Sequence, residues 1–346
     1  MSERQQATSE IVIAAPDDFH VHVRQGKLLS SYVRTLARQS DRALIMPNTV
    51  PPVSTPDGLN SYRGEIVTAA PHFTPLMSFM ITESLEPDSV AALASAGAVA
   101  GKYYPSGVTT NSADGVSDPR VAEAVFASME REALVLCIHA EDPAAGVLVR
   151  ERAFHPQIEW IVDRFPRLRI VIEHVSDART VKLVQRMPMR VAATVTVHHL
   201  LHTIDDLLGS GIRPHLYCKP ILKSENDRAA IQEAVLSGNT KFFYGSDSAP
   251  HPQNEKESAC GAAGVYSTPV ALPLLLDFFE EHGELDRLEP FVAEFGADFY
   301  GLPRSTGRRR FIKERWRVPS GVDGAVPLSA ASEIGWRPDS DAAGYC

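Results

Sequence analysis

Short runs of Val, Ile, Leu, Phe and Ala alternate along the chain with longer segments whose apolar residues recur at helical spacing. The runs Ile11–Ala14, Arg42–Met46, Thr74–Ile81, Ala98–Tyr103, Leu134–His139, Arg169–His174, Arg190–Thr196 and Lys241–Tyr244 predict eight strands, each followed by polar or Gly/Pro-containing residues. The stretches between them have room for crossover helices, as at Asp118–Glu132 and Asp227–Ser237. Strands that are apolar throughout indicate a parallel sheet covered on both faces. Eight such units predict an α/β fold of the closed (β/α)8 TIM-barrel kind, and the first βα turn lacks the G-x-G-x-x-G of a dinucleotide fold. After Gly301 the pattern breaks. Residues 1–301 are therefore expected to form the barrel, from about residue 11, and residues 302–346 an extension packed on its outside without independent domain status. Arg308, Arg309 and Arg310 in that extension predict a solvated patch.

Composition narrows the classes. A hydrophobic share of 44% with 22% charged residues is that of an ordinary globular chain. The formal charge of −9 leaves no basic footprint for nucleic acid. The longest apolar stretch, around Val90 to Gly101, is too short for the roughly 20 residues of a membrane span. The polar start MSERQQATSE lacks the apolar core of a secretory signal. Cys137, Cys218, Cys260 and Cys346 contain no C-x-x-C pair, so neither a disulfide framework nor a thiolate zinc site is indicated. A cytoplasmic location is the expectation.

The chemistry lies at the strand ends. His20 and His22 follow the first apolar run, and period-two geometry puts both imidazoles on one face, with Arg24 in step. Lys102 ends the fourth run, His139 the fifth and His174 the sixth, while Asp247 follows the eighth. Each alone reads as a hydrogen-bonded core residue; together they converge on the catalytic rim of a barrel. Imidazole and carboxylate donors without cysteine suit Zn²⁺, with Mn²⁺ or Co²⁺ as alternatives. Two cations so close need an anionic bridge, and Lys102 carboxylated by CO2 would present two anionic oxygens. A metal-bridging hydroxide would then be the nucleophile, and Asp247 could both coordinate and take its proton.

These motifs resemble a known family. The runs Asp17–Arg24, Met46-Pro47-Asn48-Thr49, Gly101–Pro105, Thr109-Thr110-Asn111-Ser112, His139-Ala140-Glu141, Glu173-His174, Pro214–Cys218 and Gly245–His251 are similar to those of dihydroorotases of the short single-barrel type, within the amidohydrolase superfamily. The resemblance extends from about residue 11 to 300. It implies reversible zinc-dependent cyclisation of N-carbamoyl-L-aspartate to L-dihydroorotate in de novo pyrimidine (UMP) biosynthesis. It implies two Zn²⁺ per subunit, one held by His20, His22 and Asp247 and the other by His139 and His174, bridged by Lys102 as N6-carboxylysine. It further implies a homodimer, and Asp247 as the catalytic acid and base.

For the substrate, the resemblance implies that Arg24, Asn48 and His251 grip the α-carboxylate. A planar guanidinium suits that task, because it pairs a carboxylate bidentately. Thr109 and Thr110 lie in a lid-like loop, Ser106–Gly115, His139 is expected to touch the substrate as well as the metal, and Lys219 and Ala263 match positions of main-chain contact; the better-known bacterial members carry Leu in place of Lys219. His198, His199 and His202 are expected to be structural or to support the metal ligands, and no base partner marks Cys218 or Cys260 as a nucleophile. The competing readings are another cyclic amidohydrolase, hydantoinase- or allantoinase-like, and a non-catalytic scaffold barrel.

Overall fold

In the computed structural model, which describes residues 9–339, the first apolar run is not a barrel strand. Ile11–Ala14 lies in β1 (Glu10–Ala14), which pairs antiparallel with β10 (Arg308–Arg317), Ile11 opposite Phe311 and Ala14 opposite Arg308. The barrel begins instead with β2 (Asp17–Val21). Two acids open this strand, which hides it from a search for apolar runs. Both are buried and satisfied: Arg42 donates to Asp17 through Nε and Nη2, and Ser246 N donates to Asp18 at 2.8 Å. Burial still pushes the Asp18 carboxyl up to about 6.

The other seven strands fall where the apolar runs predict them, some with ends one or two residues shorter. They are β3 (Arg42–Ile45), β4 (Thr74–Ile81), β5 (Ala98–Tyr103), β6 (Val135–Ile138), β7 (Arg169–Ile172), β8 (Val191–Val195) and β9 (Phe242–Tyr244). Neighbours from β2 to β9 pair in sequence order and in parallel. The ring closes just beyond the strand ends, where Asp247 N donates to His20 O at 2.8 Å and His22 N to Ser248 O at 3.0 Å. With helices between the strands, this is a (β/α)8 barrel.

Alternate residues build two cores. Leu44, Ala100, Val135, Cys137, Val171, Ala192 and Phe243 fill the interior with Phe19 and Tyr300, while Ile45, Phe79, Ile138, Ile170, Ile172 and Ala193 pack under the helices. Interior parity then runs on to Lys102, two beyond Ala100, to His139, two beyond Cys137, and to Glu173, two beyond Val171. The polar rim is thus an extension of the apolar core by one step along each strand.

The expected helix Asp118–Glu132 is a 3-10 turn (Pro119–Ala122) leading into a helix at Glu123–Arg131, with the Asp118 carboxylate accepting from Arg120 N. The other expected helix starts earlier, at Glu225–Leu236. Asp227 is its third residue and forms a reciprocal cap with Ser224, so an acid read as the start lies inside the first turn.

The extension after Gly301 has regular structure that the sequence pattern did not reveal. β10 pairs with both β1 and β11 (Glu333–Pro338), and β11 sets the fully buried Trp336 beside the helix Ala271–Glu281, where Nε1 donates to Glu280 at 3.1 Å. The arginines there are not merely solvated: Arg309 pairs with Asp41 at 2.8 Å, Arg310 with Glu10 and Arg308 with Glu289 at 3.5 Å. Cys346 and the first eight residues lie outside the described residues. Among the described residues no helix is long and apolar enough to cross a membrane.

Candidate active site

Closure of the ring sets the site. The bonds that join β2 to the segment after β9 hold His20 and His22 against Asp247, whose Oδ1 lies 3.3 Å from His20 Nε2 and 3.2 Å from His22 Nε2. Gly245 permits this approach, since a Cβ there would lie 2.8 Å from the Thr194 side chain and 3.0 Å from His20 Cβ. Three candidate residues stand in the left-handed region that non-glycine residues avoid: Arg24 (φ 60°), His174 (φ 43°) and Asp247 (φ 43°). Such strain costs on the order of 1–3 kcal/mol each and clusters at functional sites. At His174, out of step with the interior parity of β7, the backbone N–H is held by Thr194 Oγ1 at 2.7 Å.

Two carboxylates orient the imidazoles. Glu173 Oε2 lies 2.6 Å from His20 Nδ1 and accepts from Thr194 Oγ1, also at 2.6 Å. Glu141 Oε2 lies 2.8 Å from His139 Nε2. Each pairing leaves the opposite ring nitrogen as the available ligand atom, Nε2 of His20 and Nδ1 of His139. The rings of His139 and His174 are 4.6 Å apart, and those of His20 and His174 5.0 Å.

Electrostatics favour neutral ligands and an ionised aspartate. Burial presses His22 down to about 4 and lowers His139, while burial and the neighbouring His139 put His174 well below the usual imidazole range. His20 differs: burial is the largest influence and lowers it, but the Glu173 charge together with the hydrogen bond and charge of Asp247 raises it overall. Burial alone would raise Asp247; the hydrogen bond and charge of His20, the hydrogen bond from His22 and the charge of His174 overcome that and hold it well below the usual carboxylate range. Burial also lowers Lys102, which increases the share of free amine at a given pH.

Above this cluster lies a narrow pocket, with a free volume of about 20 Å³. Its lining includes Arg24, Asn48, Thr109, Thr110, Lys219 and Ala263 together with the four histidines and Asp247. Arg24 donates through Nε to Pro250 O at 2.8 Å, and its Nη2 lies 2.7 Å from His251 Nε2, which is 3.0 Å from Ala263 O. The Ser106–Gly115 loop is fastened over the pocket: Asn48 Nδ2 donates to Thr110 O at 3.0 Å and Asn111 Nδ2 to Asn48 O at 3.1 Å. Most of the residues expected at the site therefore line one pocket, while Lys102 is fully buried outside the lining and His251 is reached through Arg24.

No family model matches the chain, but its curated relatives are dihydroorotases. The dihydroorotase of Nitrosomonas europaea is 42% identical over 341 residues, covering 95% of this chain and 98% of the relative. The chain belongs to the dihydroorotase family. Solved dihydroorotases share its architecture. That of Saccharomyces cerevisiae, in complex with 5-fluoroorotic acid, superposes with a TM-score of 0.91 at 35% identity, covering 96% of this chain and 99% of the other. That of Campylobacter jejuni gives 0.90 at 32% identity, covering 97% and 99%. Dihydroorotases are hydrolases of a cyclic amide, and their superfamily is metal-dependent.

The donor set fits divalent cations. His20, His22 and Asp247 present ligand atoms all within 4.8 Å of one another. Lys102 Nζ and His174 Nδ1 are fully enclosed and have no hydrogen-bond partner among the described residues. An unsatisfied buried polar atom costs about 1–3 kcal/mol. Two of them beside His20, His22 and His139 mark a place that protein atoms alone do not complete. Dihydroorotase residues to which sequence reasoning assigned no role are Glu173, Glu141, Thr194 and Tyr104. The signal was present for the glutamates: each sits in or beside an apolar strand next to a histidine, where an unpaired acid is costly. Tyr104, 1% exposed and lining the pocket, carried no such mark.

Proposed function

We propose that this dihydroorotase-family chain interconverts N-carbamoyl-L-aspartate and L-dihydroorotate, as a cytoplasmic homodimer with two Zn²⁺ per subunit. His20, His22 and Asp247 would hold one ion, His139 and His174 the other, and Lys102, carboxylated on Nζ, both. Zinc suits a set of imidazoles and carboxylates without thiolate. When bound, the ions supply Lewis acidity, which acidifies water and polarises a carbonyl.

The chain's own residues manage protons and orientation. Oδ1 of Asp247 is engaged by His20 and His22, which leaves Oδ2 to carry a proton. In ring opening Asp247 takes the proton of the attacking water and returns it to the departing ring nitrogen; in ring closure it removes the proton of the carbamoyl nitrogen. Arg24, Asn48 and His251 bind the carboxylate beside the ring. Thr109 and Thr110 cover the substrate and exclude water, and Lys219 and Ala263 contact it through main-chain groups. Glu173 and Glu141 keep His20 and His139 in the required tautomers.

The observation that carries this reading is the Arg24–His251 pair, 2.7 Å apart, beside the His20–His22–Asp247 cluster. A ring without a carboxylate, as in a hydantoin or allantoin substrate, would leave that buried guanidinium unmatched. The test is turnover of L-dihydroorotate, followed by ring-amide absorbance, before and after chelation. Activity lost to the chelator and restored by zinc with bicarbonate is the expected result. A fully metal-loaded protein that opens hydantoin or allantoin but not L-dihydroorotate would overturn it.

A further inference from the structure

A second cluster of ligand-type side chains lies outside the set described above. The helix Val197–Leu201 follows β8 directly and carries His198 and His199, whose rings are 4.6 Å apart. Cys218, from the segment that leads to Lys219, meets them there. All three are at most 2% exposed, and one ligand atom from each lies within 4.8 Å of the others. Cys218 Sγ is 4.0 Å from His199 Nε2. Tetrahedral zinc, with bonds of about 2.05 Å to nitrogen and about 2.3 Å to sulfur, places such atoms roughly 3.6 Å apart. The gap is nearly that of a shared ion.

The hydrogen bonds point the same way. Cys218 Sγ donates to Pro220 O at 3.2 Å, and His199 Nε2 lies 2.9 Å from the same oxygen, so two protons converge on one carbonyl. His198 contributes nothing to this arrangement. Neither of its ring nitrogens has a hydrogen-bond partner among the described residues, although both are enclosed. A cation would replace the converging protons, engage a His198 nitrogen and keep the carbonyl oxygen as a fourth donor. His199 Nδ1, 2.8 Å from Thr196 Oγ1, could then hold the ring proton, with the hydroxyl oxygen accepting it. The proton balance is one thiol proton released and one ring proton moved from Nε2 to Nδ1.

We propose that His198, His199 and Cys218 form an additional divalent-cation site, selective for zinc-like ions, with Pro220 O as the nearest fourth donor. Thiolate and imidazole together select zinc over magnesium or calcium. Its place in the fold gives it a structural role: it joins the start of the helix after β8 to the segment bearing Lys219, a wall of the substrate cavity. The proposal does not depend on the reaction assigned above.

Cobalt tests it on the full chain. The pair of metals proposed for the catalytic rim has no thiolate ligand, so thiolate-to-cobalt charge transfer in the near ultraviolet would report a cysteine, and its loss in Cys218→Ser would assign it to Cys218 rather than to the exposed Cys260. Stripped protein reloaded with Co²⁺ should take up a third equivalent per chain together with that band. Cys218→Ser should lose both the band and one equivalent. His198→Gln should lose the same equivalent with the thiol still in place, and circular dichroism would show that each variant is folded. Saturation without a thiolate band, or a band that survives Cys218→Ser in folded protein, overturns the site. Because the readout is stoichiometry and absorbance, a failure here is separate from any failure to turn over dihydroorotate.

Discussion

Arg24 is the residue on which substrate choice turns, and replacing it with Met isolates its part. Its guanidinium commits one N–H to Pro250 O and one to His251 Nε2, at 2.8 and 2.7 Å. Three of its five donors then remain for a ligand carboxylate. A hydrogen bond to a charged group contributes about 1.5–3 kcal/mol, and truncating one member of a buried charge pair costs about 2–5 kcal/mol. At 1.4 kcal/mol per decade, the expected rise in KM is roughly 30- to 4,000-fold. The contact is to a part of the substrate that does not react, so it should be equal in ground and transition states, and kcat should fall far less than KM rises. Initial rates of ring opening and ring closure, followed by ultraviolet absorbance, give both constants. Metal content measured alongside should equal that of the parent chain, because Arg24 is outside the proposed ligand set. A KM within threefold of the parent in folded, metal-loaded protein would refute the assignment.

Three further outcomes follow from the same geometry. Asp247→Asn should keep the fold and part of the metal, by elemental analysis, yet lose at least about 10²- to 10⁴-fold in turnover with the proton carrier gone; near-normal turnover would contradict its role. Burial and the neighbouring Arg24 charge push the His251 imidazole down to about 3, against 6.5 in the unfolded chain. Between those pH values the unfolded state holds a proton that the folded state lacks, so this contribution is full above pH 6.5 and lost as pH falls towards 3. Denaturant midpoints of His251→Asn should therefore decline less steeply over that window, and parallel profiles would rule the contribution out. We propose that the segment after Gly301 belongs to the barrel's own fold. Trp336→Ala should then cost about 3–5 kcal/mol of stability, read from thermal unfolding of the whole chain, with kcat unchanged, whereas an unaltered midpoint would mark the segment as independent.

Seven barrel strands could be read from the chain because each is apolar on both faces, one for the interior and one for the helices. That demand is local and leaves a continuous signature. The same rule concealed β2, whose buried positions are charged. Asp17 and Asp18 are tolerated only because Arg42 and Ser246, distant in sequence, satisfy them. β1 was visible as an apolar run but not as a partner of β10, since antiparallel pairing with a strand some 300 residues away leaves no mark on either sequence. Lys102, His139, His174 and Asp247 stood out as polar groups at the ends of apolar runs.

What the sequence by itself determined is thus the barrel class and the identity of the reactive groups, through residue type and periodicity. Tertiary structure decided which groups act together. It closed the ring so that Asp247 meets His20 and His22, and it assigned Glu173 to His20 across 153 residues and Arg24 to His251 across 227. It also brought Cys218 to His199, a proximity that cysteine spacing did not indicate. Hydrogen bonds and metal coordination act over about 2–4 Å, and proximity on that scale between distant residues exists only once the chain has folded.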